Sequence, residues 1–256
     1  MRFSSTMMWL LLVAPVAALV APPSSRVRGK PRILMVAPSG VDALPLLEQA
    51  AVFGGIFVGL GASTAVATNV VDKASAKFAW FRGWQKTWIA LGAIYAVIGV
   101  SHFLVPETFE AIVPPVGTWG FWALPGTPGF HVAWSGAAEI AGGLGLLGGG
   151  LAESFRPEAA STLRKTAAFC LFLLTIAVTP ANIYMYTHGA IMPGAGPEGP
   201  LDLSFHYVRF LMQVLLLTIL YSEARRGSST SSSSSSSDYE ILCAPPPPPP
   251  PIKKHK

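Results

Sequence analysis

The residues with chemistry to offer are few and lie in apolar surroundings: His102, Glu139, Asn182, Arg209 and Gln213. Glu139 sits near the middle of Val132–Gly149, VAWSGAAEIAGGLGLLGG, a stretch long enough to cross a bilayer. A carboxylate at that depth is costly, so it is expected to face a protein interior or a wet cavity. Left unpaired, it must bind a cation or take up a proton. Arg209 is the only full positive charge expected at similar depth in a neighbouring span. A Glu139–Arg209 pair is therefore expected, strengthened by charge-assisted hydrogen bonding.

Each of the five also has a plainer reading. His102 caps a helix end or sits at the interface. Asn182 satisfies carbonyls freed by Pro180, and Arg209 snorkels to headgroups. Gln213 bridges two helices by hydrogen bonding. The Glu139–Arg209 pair is then purely structural. Metal and dithiol chemistry have no support, because the two cysteines, Cys170 and Cys243, form no C-x-x-C or zinc spacing.

Positioning these residues needs membrane helices. The chain has 256 residues, 51% hydrophobic and only 12% charged, against about 25% charged in an ordinary soluble domain. Its formal charge of +5 lacks an aromatic-interleaved basic groove, so no nucleic acid partner is expected. Polybasic segments beside a membrane are drawn to anionic lipid instead.

Five spans are expected: Ala50–Val71, Thr87–Val105, His131–Leu151, Thr166–Tyr186 and Ser204–Tyr221. The segments after spans one, three and five are basic; those after two and four are acidic. Cytoplasm-like faces collect Lys and Arg, which puts the N-terminus outside and the C-terminus inside. The loop Glu107–Phe130 holds Trp119 and Trp122, which fit an interfacial belt, and prolines that oppose a regular helix. Glu139 then lies roughly 12 Å below His131 at a rise of about 1.5 Å per residue. All five polar residues fall in the outer half of spans two to five. Gly136, Gly142, Gly143 and Gly145 let neighbouring backbones approach Glu139's helix closely.

The ends read differently. Residues 1–18 have the form of a signal peptide. Residues 19–41 are Ser- and Arg-bearing and free of acid before Asp42, as in a transit peptide. Together they resemble the bipartite presequences of complex plastids; the alternative is a signal peptide with a basic linker. Residues 227–256 form a Ser- and Pro-rich tail expected to be disordered. Its end carries Lys253 and Lys254 in the pattern of a dilysine retrieval signal of the endoplasmic reticulum.

Gly99-Val100-Ser101-His102-Phe103 with Pro106 and Ile112-Val113-Pro114 resembles the first segment of DoxX-like membrane proteins. Ser135-Gly136 with Glu139, Gly142 and Gly143 resembles their second helix. Pro180-Ala181-Asn182-Ile183-Tyr184-Met185 resembles their third, and Arg209 with Gln213 their fourth. The resemblance covers about residues 87–221. It implies an all-α, multi-pass four-helix bundle, here with one extra N-terminal transmembrane helix over residues 50–71. Some DoxX-like proteins are linked to quinone-dependent sulfur oxidation or to redox-stress membrane complexes. The expected function is a non-catalytic scaffold or accessory subunit of a membrane redox complex. Its outward-facing polar pocket would hold a quinone or lipid-like ligand. Its partners would be the lipid bilayer and other complex subunits. One alternative is a transport or cargo receptor of the early secretory pathway, marked by the dilysine end. Another is a catalytic quinone-linked oxidoreductase, ranked last because no flavin or metal motif is present.

Overall fold

A computed structural model of the chain describes residues 37–194 and 199–226. The signal-type segment, most of the transit-type segment, the tail and Lys253 and Lys254 lie outside the described residues. Among the described residues the chain is helical throughout, with no strand.

Eight α-helices follow in order: α1 Leu46–Lys77, α2 Ala79–Gln85, α3 Leu91–Leu104, α4 Pro106–Glu110, α5 Pro128–Ala152, α6 Pro157–Ala177, α7 Thr179–His188 and α8 Leu203–Arg225. A 3-10 turn at Lys86–Ala90 joins α2 to α3, and another occupies Thr118–Gly120. Among the described residues four helical stretches are long and apolar enough to cross a membrane: Leu46–Lys77, Ala79–Leu104, Pro157–His188 and Leu203–Arg225. That fits an integral multi-pass protein, because backbone groups in lipid must bond within their own segment. α5 is not among the four. It is a 25-residue helix, but its eight glycines and Glu139 lower its hydropathy.

The helices extend further than hydropathy indicates. The expected basic loop after span one shrinks to a single extended residue, Phe78, between α1 and α2. Span four begins at Pro157 rather than Thr166. Pro157 and Glu158 open it, a proline in the first turn followed by an acid that complements the helix dipole. The polar segment Glu153–Lys165 is therefore mostly helix.

Glycine brings α5 against both of its neighbours. A Cβ built on Gly99 of α3 would lie 2.7 Å from the Gly136 carbonyl oxygen, and one on Gly136 would lie 2.6 Å from His102 Cβ. On the α6 side, a Cβ on Gly142 would lie 2.6 Å from Leu171. The Gly99–Gly136 approach, backbone on backbone, admits only hydrogen in place of a side chain. The buried core of Trp88, Leu91, Tyr95, Leu146, Ala168, Leu171, Leu174, Ile219 and Leu220 then joins α3, α5, α6 and α8. α1 attaches at the edge, where Leu60 meets Val214 and Leu217 of α8.

Trp119 departs from the belt expectation. Trp119 is only 1% exposed. Its Nε1 donates to Thr187 Oγ1 at 3.0 Å. Phe53 of α1 packs on it with ring centroids 4.6 Å apart, and Trp122 edge-on at 5.7 Å. Its backbone has φ 55°, a left-handed conformation that costs a bulky residue energy. Trp119 is a protein anchor that clasps α1 and α7 together.

Candidate functional site

His102 is set by the last turn of α3. Its Nδ1 donates to the Ile98 carbonyl oxygen at 3.0 Å, which leaves Nε2 with the lone pair in the neutral ring. Phe109 of α4 lies over the ring, with centroids 3.8 Å apart and an interplanar angle of 17°. α4 owes its place to Pro106 at its start and to Thr108, whose hydroxyl donates to the Pro193 carbonyl at 2.7 Å.

Glu139 comes from the middle of α5. Its Oε2 lies 3.5 Å from His102 Nδ1, close enough for charge to act but longer than a normal hydrogen bond. The side chain is 10% exposed, and Oε2 is buried without a hydrogen-bond partner among the described residues. Gly136, one turn earlier, lies directly against His102, where a Cβ would come within 2.6 Å of His102 Cβ.

Asn182 and Gln213 meet elsewhere. Asn182 Nδ2 donates to Gln213 Oε1 at 3.2 Å, and Gln213 Nε2 donates to Thr179 Oγ1 at 2.5 Å. Thr179 Oγ1 donates to the Thr175 carbonyl at 2.9 Å, and Gln213 Nε2 reaches the same oxygen at 3.5 Å. These bonds surround the break between α6 and α7, where Pro180 supplies no N–H. Gln213 and Thr179 converge on the Thr175 carbonyl, whereas Asn182 bonds Gln213. Thr175 Oγ1 donates to the Leu171 carbonyl at 2.8 Å, so it accepts from Tyr95 hydroxyl at 2.7 Å. A polar seam therefore runs from α8 through α6 and α7 to Tyr95.

Arg209 joins neither group. Its Nη1 contacts Met185 Sδ at 2.8 Å, and no ion pair among the described residues includes it. Glu139 has His102 as its ionisable neighbour in place of the expected Arg209. The five expected residues thus form one close pair, one bonded pair and one separate cation. Tyr95, Thr175 and Thr179 enter the polar set, although short hydroxyl residues in apolar helices carry no sequence signal of their own.

A second charged cluster lies near the end of α5. Arg164 Nη1 donates to Glu153 Oε2, and its Nε lies 3.5 Å from Glu223 Oε2. Arg164 and Glu223 are both buried. Arg164 falls between the expected spans three and four, where its sequence position gives no hint of this; Pro157 and Glu158, as a helix start, were the usable signal. Among the described residues no cluster of His, Cys, Asp or Glu has the arrangement to hold a metal.

No curated protein and no solved structure matches the chain. The family described as Domain of unknown function (DUF8561) matches residues 91–223, from the first residue of α3 to Glu223 of α8. That stretch holds His102, Glu139, Asn182, Arg209 and Gln213 and leaves α1 outside. It covers more than half of the chain, and the chain belongs to that family.

Proposed function

We propose that the protein is a DoxX-like accessory subunit of a membrane redox complex that binds the polar head of a quinone or lipid-like molecule beside His102 and Glu139. One observation carries the reading. Glu139 Oε2 is buried and has no hydrogen-bond partner among the described residues, while a His ring stands 3.5 Å away. A buried carboxyl without a hydrogen bond is expensive, and native proteins keep such groups where a ligand, ion or proton completes them. A quinone or lipid head supplies the missing donor or acceptor and an apolar body suited to the surrounding helices.

In this reading α5 is a fifth crossing. Its glycines weaken its hydropathy but not its length, at about 1.5 Å per residue. The ends carrying Trp119 and Pro193 then face outward, and the Glu153 turn faces inward with the C-terminus. The acid-free residues 22–32 favour a complex plastid membrane as the location.

The test is ligand-dependent thermal unfolding of the purified protein in detergent, with decyl-ubiquinone, decyl-plastoquinone and a short-chain phosphatidylglycerol as probes. Binding to the folded state raises its stability by about 2.7 kcal/mol at a hundredfold excess over Kd. A rise with one probe that is lost in Glu139→Gln supports the reading. No rise with any probe, or the same rise in Glu139→Gln, overturns it.

A further inference from the structure

The turn between the first two candidate spans carries a different chemistry. Lys73, Lys77, Arg82 and Lys86 fall there, and no Asp or Glu occurs between Asp72 and Glu107. All four cations are exposed, and none takes part in an ion pair among the described residues. Arg82 is committed to the fold: its Nη1 donates to the Ser75 carbonyl at 2.6 Å and fixes the turn. The three lysines are left facing outward.

Aromatic rings run through the same segment. Phe78 and Trp80 have centroids 6.1 Å apart, Trp80 and Phe81 5.6 Å, Phe81 and Trp84 5.3 Å, and Trp84 and Trp88 5.4 Å. One end of this ladder is fixed, because Trp88 is buried in the core with Leu91 and Leu171. The other end projects, with Trp80 69% exposed and Phe78 40%. Lys77 Nζ stands 5.4 Å from the Phe78 ring centroid, so charge and ring share one edge of the turn.

The position of the turn decides what meets it. It joins two helices that are each long and apolar enough to cross a membrane, so it lies at a bilayer boundary. Tryptophan settles at headgroup level, and lysines there are attracted to anionic lipid. A soluble acidic partner would meet the lysines but leave Trp80 and Phe78 in water. We propose that this turn is a docking surface for anionic phospholipid headgroups in the leaflet it faces. Lys73, Lys77 and Lys86 supply the charge, and Trp80 and Phe78 insert at the acyl boundary. The surface is independent of Glu139.

The protein, purified in detergent, is mixed with equal amounts of phosphatidylglycerol and phosphatidylcholine, and retained lipid is counted by native mass spectrometry. Each lysine near an anionic surface favours association by about fivefold. The wild type is expected to retain phosphatidylglycerol over phosphatidylcholine, and Lys73→Gln/Lys77→Gln/Lys86→Gln to lose that preference by more than about tenfold. Equal retention of both lipids by the wild type, or an unchanged preference in the triple variant, overturns the proposal. Should the triple variant fail to accumulate, wild-type fluorescence quenching by brominated phosphatidylglycerol and brominated phosphatidylcholine gives the second measurement. Stronger quenching by the anionic lipid that disappears in Trp80→Phe supports the surface; equal quenching by the two lipids overturns it.

Discussion

Gly92 and Gly143 stand back to back: a Cβ on either would overlap the carbonyl oxygen of the other. Gly99 and Gly136 repeat the contact seven residues along each helix. Two glycine pairs at heptad spacing define an antiparallel α3–α5 seam in which backbone meets backbone. The seven-residue period keeps one stripe of each helix facing its partner when the pair winds left-handed.

Substitutions along α5 should therefore differ sharply by position. Gly143→Leu drives a side chain into the α3 backbone and is expected to abolish a monodisperse, thermally cooperative protein. Gly148→Leu meets open space and should leave the melting temperature within a few degrees of the wild type. Size-exclusion profiles and thermal unfolding of the two variants check this. Equal tolerance of both would mean that α3 and α5 are not packed through glycine.

Glu139→Gln should accumulate normally. Had Arg209 been its partner, the change would strand a buried cation at a cost of about 3–5 kcal/mol. His102 keeps its bond to Ile98, and Arg209 keeps Met185, so no counter-charge is lost. The expected stability change is within about 1 kcal/mol, and membrane abundance by quantitative immunoblot reads it. A severe loss of protein would show that the carboxylate carries structural weight.

Arg164→Ala removes the cation that lies against Glu153 and Glu223. Breaking a buried ion pair from one side costs about 3–5 kcal/mol. The double variant Arg164→Met/Glu223→Leu replaces the charges with apolar groups of similar volume and should recover most of that loss. Thermal unfolding of the single and double variants checks it; a double variant as unstable as Arg164→Ala defeats the argument.

Trp119→Ala empties a fully buried site and is expected to cost about 3–5 kcal/mol. Trp119→Phe keeps a ring against Phe53 but drops the bond to Thr187, for a net loss nearer about 1 kcal/mol. Phe53→Ala should resemble a weaker Trp119→Ala, because both loosen α1. Limited proteolysis in the 111–127 segment follows the opening of the clasp. Resistance as great as the wild type in Trp119→Ala would show that the segment is held by other contacts.

Much of the fold was legible because its causes are local. The uncharged runs marked α1, α3, the α6–α7 stretch and α8, and Glu139 with its surrounding glycines marked α5 as the central packed helix. Helix ends were not legible in the same way. Hydropathy stops at Thr166 because residues 157–165 are polar, yet nothing in them opposes a helix, and Pro157 starts one. The site was legible as residue types but not as pairings. Depth estimates placed His102, Glu139 and Arg209 at similar levels, but level does not fix rotation about a helix axis. Arg209 turns to Met185, and Glu139 meets His102 because Gly136 lies under the imidazole. Trp119 was misread because belt and core tryptophans share a residue type; the clue was its left-handed turn, with Gly117 and Gly120 on either side.

The bond between Trp119 and Thr187 spans 68 residues of sequence, and that separation sets a timetable for biosynthesis. At about 5–20 residues per second, Thr187 is polymerised roughly 3–14 seconds after Trp119. Throughout that interval the indole has Phe53 and Trp122 within reach but not the Thr187 hydroxyl. The newborn protein must carry an unfastened aromatic segment past the insertion machinery, and α1 is not fully fastened until α7 and α8, which hold Trp119 and Leu60, have been made. A truncated product ending before α7 would expose that segment permanently, which gives quality control a way to tell an unfinished chain from a finished one.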